Sequence, residues 1–421
     1  MKIPGPQSLA LGARLRAREQ RNVTFLAEDF PIFWNSARGA IVTDVDGNEY
    51  VDCTAAFGVA GVGHANRRVA LAVADQAQRL LHGMGDVHPT EIRVRLLDRL
   101  AAILPNGLTK AFLTTSGSEA IEAALKTAML VTGKSRFAAY RGGYHGLSFG
   151  ALAVAGIERF RTPFQDVLRH EPVLLEYPSS TADAVAASSA ARDVLMRYGD
   201  IAALVVEPIQ GRGGCIVPPR GYLQHIRAIC DELNVVLVAD EILTGFARTG
   251  AWFAVEYERI VPDIICIGKA MGSGVPISAA VGRNGIMDAW PVSTGEALHT
   301  STFLGNPLGC AAALATIDEM ERLGLPGRVA TLGESVGARL DALRSSPIVR
   351  DVRGRGMLWG VELPDGATAF AAIKHALAHG VIFSQSGGEG SVIALSPPLV
   401  IDEELLRHAI DILKSAIGAV A

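Results

Sequence analysis

Three short stretches of the chain are almost continuously apolar: Ile201–Val206 (IAALVV), 235–239 (VVLVA) and Ile264–Ile267 (IICI). They are too short for ordinary helices and lack the alternation of a strand with one wet face. A strand reads this way when both its faces are covered, as in a parallel sheet flanked by helices. Other segments carry the complementary pattern, with apolar residues at helical spacing over 67–81, 90–103, 119–131 and 222–233. Strands and helices that alternate along the chain imply an α/β domain with a mainly parallel central sheet and helices on both faces.

The ends read differently. Residues 40–51 form a hairpin pattern, AIVTDV and EYVD around an Asp-Gly-Asn turn. Beyond residue 315 come a helical stretch towards Leu340, helices over 369–378 and 403–417, and strands at Leu358–Glu362 and Val392–Leu395. Segments 1–64 and 316–421 are therefore expected to join in a smaller α+β domain beside a large domain over 65–315. The Ala/Ser-rich stretch 182–191 is expected to be a surface helix.

Composition narrows the function classes. With 421 residues, 49% hydrophobic and 19% charged, the chain can bury a large core and has room for two or three structural units. A net charge of −4 gives no basic surface for a nucleic acid or an anionic membrane. Cys53, Cys215, Cys230, Cys266 and Cys310 are scattered without CxxC spacing, as expected of reduced core thiols rather than a metal site or disulfide frame. No apolar run approaches the ~18 residues of a membrane span, and the N-terminus lacks a signal-peptide core. A soluble cytoplasmic enzyme is the expectation.

Four short motifs could carry chemistry. Lys269 follows the apolar run IICIG and precedes the small residues AMGSG. A lysine there either reaches out to solvent or, if buried, loses its proton readily and can form a Schiff base. Asp240 ends VVLVAD, where a buried carboxylate needs a cationic partner or strong donors. It could equally cap the next helix. Ser116, Gly117 and Ser118, in TTSGSEA, open a helix whose first amides either bind a phosphate or are simply capped. Tyr144 stands among glycines in GGYHG, free to lie against a planar ring.

In this order the motifs resemble those of class III pyridoxal-phosphate aminotransferases of fold type I. The resemblance runs from Pro4-Gly-Pro-Gln-Ser and the DVDGNEYVD hairpin through TTSGSEA, GGYHG, VVEPIQG, VADEILTGFARTG, CIGKAMGSGVP, STFLGNP and VRGRGMLWGVEL to SPPLVI. Asp240 and Lys269 lie 29 positions apart, as the family pattern requires. The resemblance implies pyridoxal 5'-phosphate as cofactor, carried by Lys269, which also moves the substrate proton. It implies that Asp240 pairs with the ring nitrogen, Gly117 and Ser118 bind the phosphate beside Ser116, Tyr144 stacks on the ring, and Ile242 packs on its other face. Glu207 corresponds to a further acid at a strand end. Thr302 corresponds to a threonine that reaches the phosphate of a neighbouring subunit, so a homodimer or higher homo-oligomer is implied. His145 is either a supporting residue or a structural histidine, and Arg248 reads as structural.

Four departures bear on substrate. Ala394 stands where family members that use glutamate and 2-oxoglutarate commonly have arginine. Arg212 replaces an acid, Leu147 an arginine and Leu243 a glutamine that bonds the ring hydroxyl. Losing a bidentate guanidinium changes carboxylate recognition substantially. The expected activity is transfer of an amino group from an amine or ω-amino acid, 4-aminobutyrate-like, to a keto acid. Arg212 would bind carboxylate, and Phe57 would form part of an apolar wall. A racemase, aminomutase or decarboxylase on the same fold is the alternative.

Overall fold

A computed structural model describes residues 3–168 and 171–421. Its centre is a seven-stranded sheet in the order Leu108–Thr114, Ser278–Arg283, Ile264–Ile267, Val236–Asp240, Ile201–Val206, Arg136–Tyr140, Val173–Leu175. All neighbours pair in parallel except around Ser278–Arg283, which is antiparallel to both of its partners. That strand reads SAAVGR. It has few of the β-branched residues that mark a strand in sequence, and only pairing reveals it.

The uniformly apolar runs have the burial they need. Val205, Val238 and Cys266 enter one core with Ala120, Ala124 and Ala128 of the Gly117–Thr132 helix. Their chain neighbours Leu204, Leu237 and Ile265 enter another on the opposite face. Period-two alternation thus sends successive side chains into two different cores, and a polar residue fits on neither face. The alanines of the covering helix let it lie close to the strands. All five cysteines are free and buried. No helix among the described residues is long and apolar enough to cross a membrane.

Helical spacing in the sequence located the helices to within a few residues. They span Arg67–Arg79, Glu91–Ile103, Gly117–Thr132 and Tyr222–Leu233. The Ala/Ser-rich stretch is the start of a longer helix, Ala184–Tyr198, capped by the Asp183 side chain. The last helix continues to Val420.

Two smaller four-stranded sheets flank the centre. One contains the N-terminal hairpin, Ile41–Asp44 and Glu49–Asp52. Trp34–Arg38 extends it on one side, and Val381–Ile382 pairs in parallel on the other. The far end of the chain therefore completes the N-terminal sheet. The other sheet joins Asp351–Arg355, Leu358–Glu362, Val392–Leu395 and Ser384–Ser386.

The hairpin turn is organised by one carboxylate. Asp44 is buried and accepts from the amides of Asp46 (2.9 Å) and Asn48 (2.8 Å), from the Asn48 side chain (2.9 Å) and from the Tyr50 hydroxyl (2.8 Å). Asp44→Ala strands these donors, so a loss of at least about 2 kcal/mol of unfolding free energy is expected in urea titrations of the protein.

Candidate active site

Three adjacent strands of the central sheet end in chemistry. Ile201–Val206 delivers Glu207, Val236–Asp240 ends on Asp240, and Ile264–Ile267 runs into Lys269. Carboxyl ends of strands in an open α/β sheet face the ligand crevice. Here they open into a cavity of about 700 Å³ lined by all three residues. Of the lysines among the described residues, Lys269 alone lines it.

Asp240 is only 4% exposed. Its Oδ2 lies 2.7 Å from His145 Nδ1, and its Oδ1 accepts from the Ile242 amide at 3.1 Å. Burial alone would hold the His145 imidazole neutral. The hydrogen bond and charge of Asp240, with the charge of Glu207, overcome that and raise its pKa. Glu207 accepts from the amides of Tyr144 and Gly211, each at 2.9 Å, and burial raises its carboxyl pKa against the opposing pull of His145. Lys269 shifts the other way. Enclosure lowers its pKa against the pull of Asp240 and Glu207, and the cations Arg248 and Arg212 push in the same downward direction as burial. A lowered pKa favours the neutral amine, the form of lysine that acts as nucleophile and base. Lys269 also has φ of +44°, a left-handed conformation rare outside functional sites and tight turns.

One end of the cavity is built by the start of the Gly117–Thr132 helix. Ser116 and Glu119 form a reciprocal cap: the Ser116 hydroxyl accepts from the Glu119 amide at 3.3 Å, and the Glu119 carboxylate accepts from the amides of Thr115 (2.7 Å) and Ser116 (3.3 Å). That cap leaves the Gly117 and Ser118 amides without an acceptor among the described residues. Free amides and the positive end of a helix dipole attract an anion. Capping and anion binding, alternatives in the sequence, are compatible here because they would use different amides. Gly117 makes room for Ile242, since a Cβ there would lie 2.6 Å from Ile242 Cδ1 and would displace that side chain. Gly146, at φ +115°, lets the Tyr144–Leu147 loop close over Ser118, whose Oγ a Cβ would meet at 1.9 Å. Tyr144 faces the cavity and packs edge-to-face on Phe160 with ring centres 5.7 Å apart.

Phe57 reaches the cavity from a left-handed turn, with φ of +47° at Ala55, +49° at Ala56, +62° at Phe57 and +81° at Gly58. This handedness costs about 1–2 kcal/mol for each residue with a side chain. Arg212 also lines the cavity and forms no ion pair among the described residues. Leu147, Leu243 and Ala394 lie on the same walls. Thr302 does not: it is exposed in a turn outside the cavity. Arg248 is buried, with Nη1 donating to the carbonyls of Met357 (3.1 Å) and Pro397 (2.6 Å), so it ties distant segments together. Sequence reasoning missed the polar wall supplied by Ser384, Gln385, Ser386 and Ser396. Isolated serines on short strands carry no local signal, and only the sheet topology brings them to the site.

A sequence profile described as aminotransferase class-III matches residues 25–417. The chain belongs to the class-III aminotransferase family. Among its relatives, the acetylornithine aminotransferase of Methanosarcina mazei is 39% identical over 386 residues, covering 92% of each chain, and that of Methanosarcina acetivorans is 37% identical over the same length and coverage. A transaminase from the marine bacterium Virgibacillus superposes with a TM-score of 0.92 at 26% identity over 98% of this chain and 99% of that one. The ornithine aminotransferase of Toxoplasma gondii ME49 gives 0.88 at 29% over 97% and 94%.

The cofactor of this class-III aminotransferase is pyridoxal 5'-phosphate, and the cavity fits it. Two free amides at a helix start suit the phosphate. A buried carboxylate braced by His145 suits a protonated ring nitrogen, and Lys269 suits the covalent link. Gly117→Val would push Ile242 and the helix start apart. Cofactor affinity of the apoenzyme, titrated by fluorescence, is expected to weaken by more than about tenfold, or ~1.4 kcal/mol.

Proposed function

We propose that this aminotransferase takes the amino group of an amine or ω-amino acid and passes it to a small keto acid, with Arg212 holding the substrate carboxylate. The observation that carries this reading is Arg212 itself: a guanidinium on the cavity wall without an acidic partner among the described residues. Burial lowers its pKa, as does the charge of Arg159. A cation in that state gains from an incoming carboxylate, which supplies two acceptors to its planar fork. Ala394, small and buried, leaves open the place from which the usual arginine would reach in. Bound pyridoxal phosphate supplies the electron sink. The chain's own groups do the rest. The Lys269 amine would take the substrate proton and return it, Asp240 would favour a protonated ring nitrogen, and Tyr144 and Ile242 would supply packing surface for the ring. The acetylornithine aminotransferases among the relatives are named for a substrate whose reacting amine stands at the end of a carboxylate-bearing chain, which suits the same class of donor.

Racemisation is the less favoured reading. It needs a base facing Lys269 across the substrate, and the corresponding place holds Arg212, which cannot give up its proton at ordinary pH. Arg212→Ala is expected to raise KM for carboxylate substrates by about 10- to 100-fold, the loss of a charged hydrogen bond of ~1.5–3 kcal/mol, and to leave a neutral amine unchanged in steady-state assays. Pyruvate is expected to compete well with 2-oxoglutarate as acceptor.

The active unit in this reading is a homodimer. Leu81, Met84, Val87, Leu298 and Phe303 are exposed apolar residues on two segments that meet where Asn306 Nδ2 donates to the Leu81 carbonyl (3.2 Å) and the rings of His82 and Phe303 pack 5.3 Å apart. Exposed apolar residues gathered on neighbouring segments favour an interface. A second copy seated there would bring its Thr302 towards the phosphate end of this cavity. Sedimentation of the holoenzyme should give the mass of two chains. Thr302→Ala should weaken cofactor binding by ~1.5–3 kcal/mol, read by equilibrium titration.

A further inference from the structure

We propose that Asp52 and His64 are a positioning pair that fixes the left-handed turn carrying Phe57 and so sets which donor side chains the enzyme accepts. The proposal rests on the aminotransferase reading of the cavity, with Phe57 in its substrate wall.

Neither residue lines the cavity. Asp52 is fully buried at the end of the Glu49–Asp52 strand. It accepts from the Thr54 amide (2.7 Å), the Thr54 hydroxyl (2.6 Å) and the Ala56 amide (3.3 Å). Those three bonds fold the chain back immediately before Phe57. Asp52 Oδ2 also faces His64 Nε2 at 2.7 Å. His64 is itself fixed. Its amide and carbonyl pair with Gly39 at 2.8 and 2.9 Å, and its ring meets Trp34 edge-on at 5.7 Å. On the other side Ser396 donates from its amide to the Cys53 carbonyl (2.8 Å) and from its hydroxyl to the Thr54 carbonyl (3.3 Å).

Two alanines and a phenylalanine have no intrinsic reason to be left-handed, and strained backbone persists only where its surroundings over-determine it. Here the surroundings are Asp52 before the strained residues and Gly58 after them, where a Cβ would lie 2.7 Å from Leu243 Cδ1. What the strain achieves is the placement of Phe57 against the cavity. Within a single chain that ring is 71% exposed, so contacts with its own chain do little to hold it in place. Its position is set through the backbone, hence through Asp52 and its bond to His64.

The test measures the ratio of kcat/KM for 1-phenylethylamine to that for 4-aminobutyrate, with pyruvate as acceptor, in holoenzymes bearing Phe57→Ala, His64→Leu, His64→Gln and Thr54→Val. Phe57→Ala is expected to shift the ratio by about tenfold, and His64→Leu and Thr54→Val to shift it in the same direction by at least about threefold. His64→Gln keeps a side-chain donor for Asp52 and is expected to stay within about twofold of wild type. The cofactor absorbance should be unchanged throughout, which a general loss of structure would not allow. If Phe57→Ala shifts the ratio while His64→Leu and Thr54→Val leave it at the wild-type value, the positioning pair is wrong and the substrate wall stands. If His64→Gln shifts it as far as His64→Leu, the hydrogen bond is not what acts, and the pair is again wrong. If Phe57→Ala changes nothing, or wild type turns over neither donor, the substrate reading itself falls and the proposal falls with it.

Discussion

A carboxylate at the end of a strand covered on both faces must be paired, hydrogen-bonded or protonated, because leaving it bare in a dry interior costs several kcal/mol. Asp240 and Glu207 are two such carboxylates on neighbouring strands, and Lys269 stands at the end of the next. His145 lies against Asp240, and their mutual attraction makes the pair tolerable. Much of the site depends on that bond. It fixes the GGYHG loop over the sheet edge, which brings Tyr144 to the cavity and lets its amide hold Glu207. The same negative charges oppose the burial that lowers the Lys269 pKa, so the lysine sits between two tendencies. A group balanced in this way can both lose and regain a proton, which amino transfer requires.

The cavity has two kinds of wall. One is the rigid edge of the central sheet with the start of its covering helix. The other is assembled from far-apart parts of the chain: the Phe57 turn near the start, the Arg212 loop in the middle and the Ser384–Ser386 strand near the end. The seams between these parts are held by side chain to backbone bonds. Ser386 Oγ reaches the Gly211 and Arg212 carbonyls at 3.0 Å, Ser396 staples the Phe57 turn, and Arg248 holds Met357 and Pro397. The ends of the central strands and the start of the covering helix form the first wall, whereas the second is drawn from separate segments that can vary without disturbing the central sheet.

The same division explains what the sequence could tell. Ile201–Val206 and Ile264–Ile267 were readable to the residue because two dry faces allow only one kind of side chain. Lys269 and Asp240 stood out because they end such runs. Ser278–Arg283 was not readable. Its burial comes from lying between two other strands, and alanine and glycine satisfy that without leaving a pattern. The left-handed turn at Ala55–Gly58 was equally hidden, since the residues that impose it are Asp52 and His64, not the residues that bend. Helix ends were located approximately because caps such as Asp183 and Ser116 are common residues whose role appears only in their bonds.

Lys269 is the point on which the proposed chemistry converges, and whether it carries the cofactor can be read without any substrate. Borohydride reduction of the holoenzyme, followed by digestion and peptide mass mapping, should find the pyridoxyl mass on the peptide that contains CIGKAMGSG, at Lys269. The label on any other lysine, or no label on a protein that shows bound cofactor by absorbance, would contradict the account.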